Sequence, residues 1–191
     1  MQVDGKIFVG FPKRILGRCG MIIYTVTFFG HRELPNMFAL EERLLTILRD
    51  LINSKEYVEF LVGRDGDFDQ LAASTVRKAI RDYASGNASL ILVLPYERAE
   101  YRDNRESYEA YYDEIQICEE SSKAHPKAAI FERNKSMIDR SDLVICAIEH
   151  GGGAAKAMKY AEKCGKRIIN LLEKNTEIAQ GSAISVCNKT T

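Results

Sequence analysis

The first half of the chain alternates between short apolar runs and longer amphipathic stretches. Ile22–Phe29 is rich in β-branched and aromatic residues, which predicts a strand. Met37–Ile52 repeats leucine and isoleucine at three- and four-residue spacing, which predicts a helix. Tyr57–Val62 predicts a second strand, and Phe68–Tyr83 carries a helical stripe of apolar and small residues. Each predicted strand is thus followed by a predicted helix.

The second half continues this alternation. Ala88–Leu94 is continuously apolar, as expected of a strand covered on both faces, and Pro95 ends it. The remaining predictions are a tyrosine-rich helical stretch, a short strand, a helix, a buried strand, a helix and a last strand, at Glu97–Tyr112, Glu114–Cys118, Ala128–Arg140, Asp142–Ile148, Ala154–Cys164 and Arg167–Leu172. Strands that alternate with helices predict an α/β fold with a mostly parallel sheet.

Polar or glycine-containing turns follow four of the predicted strands. They are Gly30–Arg32, Gly63–Asp67, Pro95–Arg98 and His150–Ala154. Parallel strands place their carboxyl ends at one edge of the sheet, where ligands of such folds bind, so all four turns are expected at the same edge. A glycine-rich turn at a helix N-terminus is typical of an anion or nucleotide site.

Length and composition fit one domain with a sizeable core, since the chain has 191 residues, of which 46% are hydrophobic. We predict an N-terminal extension or arm at residues 1–20, a domain at 21–174 and a loosely held tail at 175–191. Lys13, Arg14 and Arg18 precede an apolar run and imitate a signal peptide, but no small-residue cleavage site follows. No apolar run approaches the ~20 residues of a membrane span, so we expect no membrane partner and a cytoplasmic location.

Charge and cysteine usage narrow the function classes. The 27 Lys and Arg residues equal the 27 Asp and Glu residues, which argues against a generic nucleic-acid coat. We therefore do not expect a nucleic-acid partner, although a local basic patch stays open. The five cysteines are widely spaced without a CxxC pair, which is typical of reduced intracellular thiols rather than of a disulfide framework or zinc site. We predict no metal and no cofactor.

The turn after the first strand is a candidate ligand-binding segment. Gly30 permits close approach of the backbone to a ligand, and His31 and Arg32 add donors. Arg32 is suited to bidentate binding of a phosphate. The alternative is a tight turn with Arg32 in solvent, and we favour the site.

The turn after the second strand carries two glycines and two acidic residues. Gly63 and Gly66 permit unusual backbone angles, and Asp65 and Asp67 are candidates to bind a ribose, the loop itself or a cation. The alternative is that Asp67 or Asp69 caps the following helix, and both interpretations are compatible. The later ligands of a calcium loop are missing.

Two further segments are candidates. The run Gly151, Gly152 and Gly153 at a predicted helix start is suited to cradle a phosphate on backbone N–H groups, although a glycine run is also a common flexible turn. Tyr96 follows the third strand and is a candidate to stack on a base. For the tyrosines at 108, 111 and 112 we favour a partly buried helix, and we expect Cys146 to be an inert thiol within a strand.

The order and spacing of these segments resemble a known superfamily. The matching pieces are TVTFFGHREL, FLVGRDGDFDQLAA, VLPY, ERNKSMIDRSDLVICAI and GGGAAKAMKYAEKCGKRIIN, which together span roughly residues 22–172. They resemble the SLOG superfamily, which unites the DNA-processing protein DprA with the "lonely guy" phosphoribohydrolases, and in particular its YpsA/YspA-like branch of uncharacterised bacterial proteins. Each piece alone is weak, but their order is specific.

The resemblance implies a Rossmann-like three-layer sandwich and a nucleotide-derived ligand held over the loops. In the phosphoribohydrolases an Arg-x-x-x-Met segment upstream of the glycine loop helps to bind substrate, so Arg133, with its neighbour Asn134, is a candidate ligand contact. Met137 is expected in the core, whereas Asp139 and Asp142 are expected to cap and connect elements. Because members of the superfamily often pair, the resemblance also implies that the chain can form a homodimer.

The chain departs from the hydrolase pattern PGGxGT followed by Glu. The proline is absent, and the catalytic glutamate falls near Met158. Glu149 precedes the glycine run and Glu162 lies two turns beyond it, so neither substitutes obviously. Lys156 in the first helical turn is placed to reach a phosphate.

Three functions compete at this point. The first is binding of a nucleotide or nucleotide derivative at the edge of the sheet by a sensor or regulatory module, which the missing glutamate favours. The second is an N-glycosidase that releases a base from a nucleoside phosphate, with Arg133 on the phosphate and Asp65 or Asp67 stabilising the sugar cation. The third is single-stranded DNA binding as in DprA, which zero net charge and the absence of tryptophan disfavour. We choose the first, and assign no catalytic residue.

Overall fold

The computed structural model describes residues 15–16, 20–34 and 36–173. The predicted arm, apart from residues 15, 16 and 20, and the predicted tail lie outside the described residues. Within these described residues the strands are β1 (Ile15–Leu16), β2 (Met21–Gly30), β3 (Tyr57–Val62), β4 (Ala88–Leu94), β5 (Glu114–Ile117), β6 (Leu143–Ala147) and β7 (Arg167–Asn170). The helices are α1 (Met37–Ser54), α2 (Asp67–Tyr83), α3 (Ala99–Asp103), α4 (Arg105–Tyr111), α5 (Glu119–Ser122), α6 (Pro126–Asp139) and α7 (Gly153–Lys163).

Six of the strands form a parallel sheet in the order β5-β4-β3-β2-β6-β7. The register pairs Val26 of β2 with Phe60 of β3 on one side and with Leu143 of β6 on the other. The short strand β1 pairs antiparallel with the start of β2. Strand order therefore reverses between β2 and β6, and such a switch point opens a crevice at the carboxyl ends of the two strands.

Alternate residues of the strands build a core on each face of the sheet. Phe28 and Phe60 point to one face, with ring centroids 6.2 Å apart, and there they join the buried faces of α1 and α2. Phe29 and Leu61 belong to the other face, where Met137 of α6 and the alanines of α7 cover them. Helices on both faces bury the central strands β3, β4 and β6 and most of β2, which explains why these read as nearly continuous apolar runs, whereas the edge strand β5 stays partly exposed.

The α/β three-layer Rossmann-like architecture is confirmed, and all four polar turns lie at one edge of the sheet. The stretch Glu97–Tyr112, expected as one helix, is two short helices that meet at Asn104. The Asn104 N–H donates to the carbonyls of Glu100 and Tyr101, and its side-chain amide donates to the Glu100 carbonyl as well. An asparagine that bonds the local backbone in this way ends a helix, and hydrophobic spacing does not reveal it.

Burial agrees with several of the other expectations. Met137 is fully buried, and Tyr108 and Tyr112 are buried in the core, whereas Tyr111 is exposed. Asp142 connects elements through its carboxylate, which accepts the Thr25 N–H at 2.9 Å. Within residues 15–16, 20–34 and 36–173, every helix is too short or too polar to cross a bilayer.

Candidate functional site

A cavity of about 270 Å³ opens at the switch point between β2 and β6. Four segments form its walls: the end of β2 with the following turn, the β3–α2 loop, one face of α6, and the start of α7. The lining residues are Phe29, Gly30, His31, Arg32, Asp65, Gly66, Asp69, Ile130, Arg133, Asn134, Gly152, Gly153 and Ala154. Nine of the thirteen predicted site residues are among them, and Gly63, Asp67, Tyr96 and Gly151 are not.

Gly30, the last residue of β2, is required to be a glycine because a neighbouring side chain occupies the space of a Cβ. A Cβ at this position would overlap the side chain of Phe68, which is fully buried at the start of α2. The close approach expected at Gly30 is therefore made by a core residue. Arg32, two residues further on, is exposed and lines the cavity.

His31 contacts the β6–α7 loop through its ring, and its backbone N–H donates to the Ala147 carbonyl at the end of β6 at 3.3 Å. Its Nε2 atom accepts hydrogen bonds from the N–H groups of Glu149, at 2.9 Å, and His150, at 3.3 Å. The ring also stacks on His150, with centroids 3.9 Å apart. Burial lowers the pKa of His31 below its ordinary value, and the nearby His150 lowers it further. The sequence predicted a donor to the ligand here, whereas Nε2 is an acceptor for the loop.

The β2–α1 turn and the β3–α2 loop are bonded to each other. The Asp67 N–H donates to the Arg32 carbonyl at 2.9 Å, and the Asp67 carboxylate accepts the Leu34 N–H at 3.2 Å. A Cβ at Gly66 would lie 2.7 Å from the Arg32 Cα atom, so the two backbones meet at Gly66. Asp67 therefore fastens one loop to the other. The prediction that an aspartate caps α2 is wrong, because Gly66 is the N-cap and no side chain bonds there.

Asp65 is held between two arginines. Its Oδ2 atom lies 3.0 Å from Nη1 of Arg133, and its Oδ1 atom lies 2.5 Å from Nη2 of Arg98 in the β4–α3 loop. Arg133 is only 2% exposed, and it also donates to the Val93 carbonyl and to the Asn134 side-chain oxygen. A buried guanidinium of this kind needs its charge matched, and Asp65 matches it. Arg133 and Asn134 thus reach the cavity as predicted, already joined to Asp65.

Asp69 is the one charged residue of the cavity lining that sequence analysis did not assign to the site. Its carboxylate is buried and accepts the Asp65 N–H at 2.8 Å. Burial raises the pKa of Asp69 above its usual range, and the nearby charge of Arg133 opposes that rise only in part. A Cβ at Gly63 would lie 2.5 Å from this carboxylate and 2.8 Å from Arg133, so Gly63 makes room for the pair. The only sequence signal was the placement of Asp69 beside the buried Phe68.

The glycine run forms the fourth wall. Gly152 has a φ of 140°, which strongly favours glycine, and Gly153 begins α7. A Cβ at Gly151, Gly152 or Gly153 would meet no atom within 4 Å. These glycines therefore leave the backbone of the α7 N-terminus uncovered. The first N–H groups of a helix have no partner within the helix, so they are available to a ligand.

Tyr96 lies outside the cavity lining and is 41% exposed, with the Arg98 guanidinium 5.7 Å from the centroid of its ring.

Burial raises the pKa of the Cys146 thiol to about 12, in agreement with the expected inert thiol. Met158 of α7 places its sulfur 4.0 Å from the Cys146 sulfur. The part of the chain that the structure describes contains no group of three or more His, Cys, Asp or Glu residues arranged to hold a metal ion.

Comparison with solved structures gives a likeness in fold. No protein-family model and no curated protein matches the chain. A solved structure of DNA processing protein A from Helicobacter pylori, studied for its single-stranded DNA binding mode, is similar with a TM-score of 0.53 and 16% sequence identity. The likeness covers 76% of this chain and 63% of that one. At this identity it establishes the fold, which is a Rossmann-like fold of the DprA type.

Proposed function

We propose that the cavity at the switch point binds a nucleotide or nucleotide-derived ligand and that the protein is a sensor or regulatory module. One observation carries the proposal: the cavity joins an anion-binding wall to an acidic wall. The uncovered start of α7 and Arg32 form the first wall, and the carboxylates of Asp65 and Asp69 form the second. A ribose phosphate has the matching chemistry, with an anion at one end and hydroxyl donors at the other.

The phosphate is assigned to the start of α7. The first intrahelical bond there runs from the Lys156 N–H to the Gly152 carbonyl, which leaves the N–H groups of Gly153 and Ala154 for a ligand. The positive end of the helix dipole adds to these donors. Arg32 supplies a mobile charge at the mouth, whereas the charge of Arg133 is already matched by Asp65.

The size of the cavity limits what it can enclose. Its volume of about 270 Å³ lies just below the usual range of roughly 300–1,000 Å³ for ligand pockets. We therefore place the ribose phosphate inside and the base at or beyond the mouth. Tyr96 does not line the cavity, so we expect it to contact the base only of a ligand that extends past Arg98.

The test is a binding screen with matched variants. The panel contains AMP, ADP-ribose, NAD, cyclic nucleotides and nucleoside monophosphates, read by thermal shift and calorimetry. A ligand at 100 times its dissociation constant adds about 2.7 kcal/mol to the stability of the folded state. Arg32→Ala should weaken binding roughly 10- to 100-fold, since a charge-assisted hydrogen bond contributes about 1.5–3 kcal/mol. Arg49→Ala is the control, because Arg49 is exposed on α1 and pairs with Asp50.

The proposal fails if no member of the panel shifts the stability of the protein. The placement of the ligand fails if Arg32→Ala and Asp65→Ala both bind as the unchanged protein does. In solution, light scattering with and without the bound nucleotide tests whether the sensor works as the homodimer that the resemblance implies.

A second candidate function is hydrolysis of an N-glycosidic bond, and Asp69 is the observation that favours it. Asp69 lies in the cavity beside Asp65 with its pKa raised, which is the environment of a carboxylic acid able to donate a proton. Asp67, the other carboxylate considered for this role, is engaged by Leu34 outside the cavity. Chromatography of each nucleotide mixture after incubation tests the candidate. Released base that disappears in Asp69→Asn supports it, and intact nucleotide contradicts it.

Single-stranded DNA is a third candidate, because the H. pylori structure concerns a protein that binds it. That likeness weakens our expectation against a nucleic-acid partner. Phe38, 70% exposed, and the exposed Tyr96 and Tyr111 supply aromatic surface on which bases can stack. Binding of a labelled oligodeoxythymidine at rising salt tests it: a steep loss of affinity supports DNA binding, and an absence of binding at low salt excludes it.

A further inference from the structure

The backbone between β6 and α7 is anchored by two side chains from other strands. Asn170 of β7, which is buried, accepts the Ile148 N–H at 3.1 Å and donates to the Ile148 carbonyl at 2.8 Å. His31, directly after β2, accepts the N–H groups of Glu149 and His150 on Nε2. Beyond His150 the glycine run has no side chains to pack. The position of the run therefore depends on these two anchors on one side and on the start of α7, which Gly153 begins, on the other.

The two anchors differ in their acid–base chemistry. The amide of Asn170 does not titrate, so its bonds persist at any moderate pH. The His31 ring accepts on Nε2, which requires that atom to be unprotonated and the ring proton to sit on Nδ1. A protonated ring has donors on both nitrogens and no acceptor. Protonation of His31 would therefore place a donor against two N–H donors and break both bonds.

The groups nearest the ring act in opposite directions on its charge. His150 stacks on it with an interplanar angle of 10°, and two positive rings at 3.9 Å would repel each other. Burial and His150 favour the neutral ring, whereas Glu149 favours the charged one, and the pKa of His31 is lowered on balance. The other charged groups on its own turn and around the same cavity are Arg32, Glu33, Asp65, Asp69 and Arg133. Asp65 is matched by Arg98 and Arg133, so it presents little free negative charge to the ring.

We propose that His31 is a positioning residue that holds the glycine run in place for the ligand phosphate only while its ring is neutral. Acidification then releases residues 149–153 and lowers the affinity of the site. The predicted loss of ligand affinity rests on the proposed function, whereas the pH-dependent bonding of His31 to the loop does not. The hold is intact at neutral pH and is lost as the pH falls through the pKa of His31, which lies below 6.5.

The first experiment needs no ligand. The chain has three histidines, so their ring signals can be assigned by NMR, and nitrogen shifts report the tautomer of each. His31 should be the Nδ1–H tautomer at neutral pH. The amide signals of Glu149 and His150 should titrate with the same midpoint as the His31 ring. The proposal would be overturned by a His31 ring with its proton on Nε2. It would also be overturned if the two amide signals did not change as His31 titrates.

Two variants separate His31 from its stacked neighbour. His31→Gln keeps an acceptor near the position of Nε2 but cannot titrate, so the pH-dependent shifts of the two amides should disappear. If they persist, His150 causes them and the proposal is wrong. His150→Phe keeps the stacked ring but removes its charge, so the midpoint of His31 should rise toward the ordinary value.

The second experiment measures AMP affinity from pH 7.5 to one unit below the His31 midpoint that the NMR titration gives, for the unchanged protein and for His31→Gln. The phosphate titrates in the same range, but this effect is common to both proteins, so the ratio of their affinities isolates His31. Below the pKa of His31 the ratio should change by up to about tenfold per pH unit, as expected when one bound proton must be released. A constant ratio overturns the coupling. If neither protein binds AMP at any pH, the proposed function loses this ligand, and the NMR titration still decides the role of His31.

Discussion

The β3–α2 loop and the β6–α7 loop carry glycines at the same edge of the sheet, for different physical reasons. Gly63 and Gly66 leave room for atoms that are already there, the Asp69–Arg133 pair and the Arg32 backbone. Gly151 and Gly153 leave a surface open, with no atom within 4 Å of the place of a Cβ. The first loop is fixed by bonds to the β2–α1 turn and to two arginines, whereas the second is held at its ends, by its two anchors and by the start of α7. A binding site gains from both, a fixed wall that orients a ligand and an uncovered backbone that meets it.

The largest expected effect comes from removing the charge at the centre of the fixed loop. Arg133→Met should lower the free energy of unfolding by about 3–5 kcal/mol, because it removes the buried partner of Asp65 and the positive charge that opposes the burial of Asp69. Urea denaturation measures the loss. Arg98→Met is the matched control, because it removes the other arginine that pairs with Asp65. The Arg98 side chain is 23% exposed, so its removal should lower the free energy of unfolding by less. Equal losses would contradict burial as the cause.

The glycines test the comparison directly. Gly63→Ala should destabilise the protein by about 1–3 kcal/mol, because the new Cβ would push Asp69 and Arg133 apart in a packed interior. Gly151→Ala should change stability by no more than about 0.5 kcal/mol, as is usual at open surface positions. Thermal unfolding of the two variants side by side decides the point. Similar losses in both would mean that the two loops do not differ as described.

The fixed loop also has a predicted pH dependence. The pKa of Asp69 is raised in the folded state, so folding favours its protonated form. The contribution of Asp69 to stability is therefore fully present below its pKa of 3.8 in the unfolded chain. It is lost as the pH rises through the pKa of Asp69 in the folded protein. Relative to Asp69→Asn, the unchanged protein should become less stable as the pH rises from about 3. Urea midpoints of both proteins across pH 3–8 measure the difference, and the opposite slope would show that Arg133 dominates instead.

Sequence alone predicted which turns meet at the edge, because apolar runs and glycines mark strand ends locally. It did not predict what each side chain does there. Asp65 and Arg133 are 68 positions apart, and no local pattern reveals that they pair. His31 has the composition of a ligand donor, but its Nε2 is used by a loop more than a hundred residues away. Asp67 and Asp69 have the same side chain and lie two positions apart in the sequence. The packing of Phe68 and Gly63 places Asp69 in the cavity, whereas Asp67 accepts the Leu34 N–H outside it.

The smallest expected effect separates the fastening of the fixed loop from the binding of the ligand. Asp67→Ala removes the acceptor of the Leu34 N–H and should cost about 0.5–1.5 kcal/mol, whereas Asp67→Asn keeps an oxygen there and should cost less. Neither change touches the cavity lining, so AMP affinity should stay unchanged in both, in contrast to Arg32→Ala. Calorimetry with AMP and urea denaturation are read together. A large loss of affinity in Asp67→Asn with stability unchanged would return Asp67 to the ligand site, and would mean that the fixed wall extends beyond the residues that line the cavity.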